Sequence, residues 1–192
     1  RAGLTLPAAE SPEAWAELVV DIFLRPPPPT RIPLRENNYL ATAKRGLAPT
    51  RWGELAQWTW GASAAPLVML AHGWAGRAAQ LGALAEPLVA AGFRVVAFDG
   101  PAHGESPGRE AHVPMLAECI LEIATQQGGL RAVIGHSAGA ASAASAASAA
   151  SAMWPARPAP RPAARGTPGS PTQAAALQRR RAARAAAAAC AE

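Results

Sequence analysis

Three short runs, 67–70, 93–98 and 130–134, are almost continuously apolar, and each is followed by a loop containing glycine. Such runs suit strands covered on both faces of a parallel sheet, where the alternation of a half-exposed strand is absent. Between the first two, Leu81, Leu84 and Leu88 recur at helical spacing over 77–91, and Gly92 stands where a helix would leave in the left-handed conformation. Between the second and third, Leu116, Ile120 and Ile123 mark another helix over 113–127, closed by Gly128 and Gly129. Strands alternating with helices build a mostly parallel sheet with helices on both faces, because right-handed crossovers return each strand beside the last. Upstream, Ser11-Pro12-Glu13 has the residue order of a helix start, predicting a helix to about Leu24. Pro26, Pro27, Pro28 and Pro29 then enforce an extended segment, with a first strand expected around 38–44 and a second over 52–60.

Sheets of this kind place ligands at the carboxyl ends of their strands. There the chain carries His72-Gly73-Trp74-Ala75-Gly76, then Asp99 through Gly104 to Ser106, then Gly135-His136-Ser137-Ala138-Gly139. A G-x-S-x-G turn between strand and helix lifts a serine hydroxyl to the top of the sheet. That hydroxyl is a weak nucleophile at neutral pH and needs a histidine base held by a carboxylate. The histidines are His72, His103, His112 and His136, so none follows Ser137, and beyond it the only acidic residue is Glu192.

Together these three motifs, in this order, resemble the α/β-hydrolase fold family over roughly residues 40–140. The resemblance implies an α/β fold and a serine hydrolase of esterase or lipase type, acting on a small acyl substrate. Ser137 would be the nucleophile, and the backbone N–H groups of Trp74 and Ala138 would form the oxyanion hole. His72, Gly73, Gly76, Asp99, Gly104, Gly135 and Gly139 would shape the loops, with Asp99 a structural acceptor and His72 and His103 ordering turns rather than acting as bases. In the family the acid and then the histidine follow the nucleophile, and here that order cannot be completed. The site is therefore expected to be catalytically incomplete. No cofactor or metal is implied.

Charge divides the chain at the same place. Residues 1–137 hold 11 Lys and Arg against 12 Asp and Glu, whereas residues 138–192 hold seven Arg and one Glu. Residues 141–152 repeat Ala-Ser-Ala, and a three-residue period rotates each serine by about 60° from the last, so no fixed apolar face is expected. Six prolines between 155 and 171 predict a disordered segment, and 174–191 a second alanine-rich helix. The expected division is a helix and proline linker over 1–36, the N-terminal half of the hydrolase fold over 37–140, and an Ala/Arg/Pro-rich low-complexity tail over 141–192. Seventeen Arg against one Lys point to a GC-rich gene, and out-of-frame reading of such DNA yields alanine, arginine and proline, so a frame change soon after Gly139 is the expectation. Leu130–Ile134 would then be left at a sheet edge. Because the chain opens on Arg1, the true N-terminus is expected upstream.

The alternative function is a non-catalytic scaffold whose Arg-rich tail binds an anionic partner, and a third reading gives this polypeptide no function at all. Nucleic acid and membrane are not the expected partners. Cys119 and Cys190 sit in dissimilar contexts and make no disulfide framework, and no signal peptide or membrane span is seen, so the cytoplasm is the expected compartment.

Overall fold

The computed structural model describes residues 11–153, all within one compact unit, Arg1–Ala156. The expectations for 154–192, the proline segment and second alanine helix among them, lie outside the described residues.

Helix α1, Pro12–Leu24, begins where the sequence places it, with the Ser11 hydroxyl accepting from the Ala14 N–H at 3.2 Å. The region expected to hold the first strand is instead a short helix, α2, Leu34–Ala41, and strand β1, Lys44–Thr50, starts where that helix has ended. The sequence 34–41 lacks the β-branched residues of a strand, and its Leu40 is buried as the apolar contact of one helical face. Strand β2, Gly53–Trp60, pairs antiparallel with β1, so Trp52 belongs to the hairpin turn rather than to the strand.

Beyond the hairpin come β3, Leu67–Ala71, a 3₁₀ helix, Ala78–Leu84, the short α3, Ala85–Ala90, and β4, Arg94–Phe98. The continuous helix expected over 77–91 is thus split, its first half tightened to 3₁₀. Gly82 lies within it, and a Cβ there would stand 3.1 Å from Cγ of Tyr39, so this segment presses closely on α2. Helix α4, Val113–Gln126, strand β5, Ala132–Gly135, and helix α5, Ala138–Met153, complete the described elements. The five strands form one mixed sheet in the order β1-β2-β4-β3-β5. Strands β4, β3 and β5 are mutually parallel, β2 opposes them, and β1, antiparallel to β2, runs with the majority.

Alternation along the strands divides the core in two. Leu55, Leu67, Met69, Val96 and Phe98 face α4 and α5, while Trp58, Trp60, Val68, Leu70 and Val95 face α2, the 3₁₀ segment and α3. Helices therefore cover both faces. Among the described residues β5 pairs with β3 alone, the sheet-edge position expected for 130–134, and Ile134 is 36% exposed, so the cover on both faces suggested by the apolar run is not found there.

Helix α5 does acquire a buried face, contrary to the expectation from its serine repeat. Ala143, Ala146 and Ala150 are buried, and the buried Ser142 hydroxyl lies 3.0 Å from both the Val113 and Ala138 carbonyl oxygens. Two alanines in every three positions supply a small-residue stripe wherever the helix turns, and small side chains permit close approach to α4. No helix among the described residues is long and apolar enough to cross a membrane.

Candidate active site

The elbow between β5 and α5 is a strained turn. Ser137 has φ 53°, a left-handed conformation that costs a non-glycine residue of order 1 kcal/mol, and its side chain is exposed. The turn is closed by the Gly139 N–H donating to the His136 carbonyl at 2.9 Å and by the Ala140 N–H donating to the Ser137 carbonyl at 2.9 Å. Packing is tight on both flanks. A Cβ on Gly139 would overlap the carbonyl oxygens of Ala71 and His72, and one on Gly135 would stand 2.6 Å from Cα of Ala140. These glycines let strand and helix backbones meet with the serine at the apex.

The loop after β3 lies against this apex, since a Cβ on Gly73 would be 3.0 Å from Cβ of Ser137. The Gly76 N–H donates to the Gly73 carbonyl at 3.0 Å, and a Cβ on Gly76 would meet that same oxygen at 2.8 Å. Among the described residues, neither the Trp74 nor the Ala138 backbone N–H has a hydrogen-bond partner.

His72 is 1% exposed with both ring nitrogens engaged: Nδ1–H donates to the Gly73 carbonyl at 2.7 Å, and Nε2 accepts from the Gly100 N–H at 2.8 Å. Burial holds its pKa down at about 4, against the opposing effect of the Gly73 bond. His103 is held likewise, Nδ1–H donating to the Pro101 carbonyl at 2.8 Å and Nε2 accepting from the Ala75 N–H at 3.1 Å, and burial also lowers its pKa. Ala75 has φ 56°, so His103 fixes an unusual backbone one residue beyond Trp74. A nitrogen already accepting from a backbone N–H is not free to take a serine proton.

Asp99 ties the two remaining loops together. Its Oδ1 accepts from the Ala78 N–H at 2.7 Å and its Oδ2 from the Glu105 N–H at 2.8 Å. Burial pushes its pKa up to about 6 in spite of those donors. Gly104, at φ 52°, sits so close to this carboxylate that any side chain would overlap it. Ser106, whose hydroxyl donates to the Asp99 carbonyl at 2.7 Å and accepts from the Ala56 N–H at 3.0 Å, locks the loop to β2. His112 caps α4, Nδ1 accepting from the Met115 N–H at 3.1 Å, which leaves the exposed His136 beside Ser137.

Sequence reasoning missed two features near the site. Buried Arg77 donates to the Glu36 carboxylate at 3.0 Å and to the Thr30 carbonyl at 2.6 Å, fastening the proline segment beside a pocket of about 280 Å³. Phe23 stacks on Trp74 with ring centroids 6.2 Å apart. Neither has a local motif, because each joins segments distant in the chain, 41 and 47 residues apart for the Arg77 contacts. Cys119 is buried, and burial pushes its thiol up to about 12, so it is no competing nucleophile.

The sheet, the strained serine turn at a strand's carboxyl end and the glycine loop packed on it define an α/β-hydrolase. Residues 62–186 match the profile of the serine aminopeptidase S33 hydrolases, and the chain belongs to that family. No curated protein matches it. Among solved structures, epoxide hydrolase A from Mycobacterium thermoresistibile is 30% identical over 55% of this chain and 35% of its own, with a TM-score of 0.51. A membrane phospholipase A described as a bacterial virulence factor is 27% identical over 58% of this chain and 37% of its own, with a TM-score of 0.51. Est1E from Butyrivibrio proteoclasticus, solved with ferulic acid, shares the fold at 21% identity and a TM-score of 0.50, over 54% of this chain and 47% of its own. The chain spans about a third to a half of the length of these structures.

Proposed function

We propose that the chain carries the nucleophile and oxyanion hole of an esterase-type site for small acyl esters, with Ser137 as nucleophile and the Trp74 and Ala138 N–H groups receiving the oxyanion, and that this site is catalytically incomplete. The observation carrying this reading is the positive φ of Ser137 in a turn whose flanking glycines abut the backbone of β3 and α5. The unpartnered amides of Trp74 and Ala138 support it, since an oxyanion hole needs donors not already spent within the protein. The described residues hold no free histidine–carboxylate pair for Ser137, so the proposed site has its nucleophile without an internal base. Asp99, Gly104, His72 and His103 act here as the frame of the two loops.

Free imidazole substitutes for a missing base, and a fluorophosphonate reports the nucleophile. Ser137 Oγ bonds to phosphorus, fluoride leaves, and imidazole takes the hydroxyl proton. Labelling of the purified chain, located by peptide mass spectrometry, is expected at Ser137, to accelerate at least about ten-fold with imidazole, and to vanish in Ser137→Ala. Fast labelling that imidazole does not change would show that the chain has its own base. Labelling elsewhere, or none with imidazole, would overturn the nucleophile.

A further inference from the structure

Helix α1 is rich in large apolar residues and buries none of them. Val19 is 59% and Phe23 76% exposed, and Trp15, Val20 and Ile22 are exposed as well. A helix of this composition ordinarily turns one stripe into a core. Its C-terminal end is held instead by the Ala111 N–H donating to the Leu24 carbonyl at 2.8 Å and by the Phe23 ring, which lies on the Trp74 indole at an interplanar angle of 16°. From another side the His103 ring meets Trp74 edge-on, with centroids 5.4 Å apart and rings at 81°. Trp74 follows the glycine packed on Ser137, so its backbone is one residue from that contact, and its ring and the Phe23 ring stacked on it keep much of their surface in water. Asp21 on the last turn of α1 and Arg25 at its C-cap are bound to each other at 2.5 Å and offer no counter-charge to a ligand.

We propose that Phe23 and Trp74 form the wall on which the substrate's acyl chain lies, selecting esters of medium-length aliphatic or aromatic acids over acetyl esters. This rests on the Ser137 reading, and it assigns specificity to a residue outside the 62–186 region matched by the family. An uncharged, chain-like acyl group removes exposed ring surface from water, which acetyl is too short to do.

Two measurements test this. In the first, which needs no reaction, octanoate is added to the full chain and the Trp74 indole N–H resonance, assigned with Trp74→Phe, is followed by NMR. Octanoate is expected to shift it, acetate to leave it in place, and Phe23→Ala to lose the octanoate response. In the second, the imidazole-assisted labelling of Ser137 is compared for octyl and methyl fluorophosphonates. The octyl-to-methyl ratio is expected to drop about ten-fold in Phe23→Ala. Since Phe23 is largely exposed, that substitution leaves the core intact. Labelling of Ser137 with the same ratio in both proteins would overturn the acyl wall and leave the nucleophile standing. An octanoate shift without labelling would do the reverse. A change of oligomeric state in Phe23→Ala with the ratio unmoved would assign the apolar face of α1 to a second copy of the chain and overturn the proposal.

Discussion

Gly139→Ala is expected to destabilise the protein by about 3 kcal/mol or more, well beyond the usual cost of adding one methyl group. The added Cβ would overlap the carbonyl oxygens of both Ala71 and His72. These are backbone atoms at the carboxyl end of β3, and Ala71 is paired to Gly135 in β5, so neither moves without breaking the sheet at the elbow. A flexible side chain in their place would step aside, and a strand end does not. Gly92→Ala is the control, because nothing lies within 4 Å of its added Cβ, although the residue has φ 91°. Only the left-handed penalty applies there, about 1 kcal/mol. Urea denaturation of the two variants is expected to separate them by at least about 2 kcal/mol, and Gly139→Ala is expected to lose Ser137 labelling. Equal losses would mean that the elbow is not the close-packed turn described.

The contrast between these two glycines also marks what could be read in advance. The three apolar runs after Pro66 placed β3, β4 and β5 to within a residue or two, because strands this apolar have few alternatives in a chain with helical spacing between them. The helix bounds of α1 and α4 were legible for local reasons, Ser11-Pro12-Glu13 at the start of the first and apolar spacing closed by Gly128 and Gly129 in the second. The segment 34–41 was not, since an eight-residue helix with one buried leucine leaves too little periodicity to separate it from a strand. The edge position of β5 was legible, but from the low-complexity sequence beyond Gly139, since the apolar run 130–134 by itself reads as a strand covered on both faces. Within the candidate site, Ser137 and its glycines were legible because a tight turn restricts residue type at fixed offsets. Phe23 on Trp74 and Arg77 on Glu36 were not, because contacts between distant segments leave no spacing to read.

His72→Ala is expected to cost about 3–5 kcal/mol at pH 7, and to cost far less at pH 4. At neutral pH the substitution leaves the Gly100 N–H without its acceptor and the Gly73 carbonyl without the Nδ1–H, and it empties the volume of a ring that is 1% exposed. The imidazole is neutral, so no buried charge is relieved in exchange. The pH dependence follows from its pKa, about 4 in the folded protein against an ordinary 6.5. Below pH 6.5 the unfolded chain takes up a proton that the folded protein refuses until about pH 4. The stability contributed by neutral His72 is thus fully present above 6.5 and is lost as pH falls through 4, a change of about 3 kcal/mol. Asp99 works in the opposite sense. Its folded pKa, raised to about 6 from 3.8, makes its contribution full below 3.8 and lost as pH rises through 6, so the wild-type curve alone blends the two. The difference between wild type and His72→Ala cancels the Asp99 contribution, which both proteins share. Denaturation midpoints measured at pH 7, 6, 5 and 4 are therefore expected to converge on acidification. If the gap stays constant across that range, His72 is not the buried neutral acceptor that joins the Gly73 loop to the Gly100 loop.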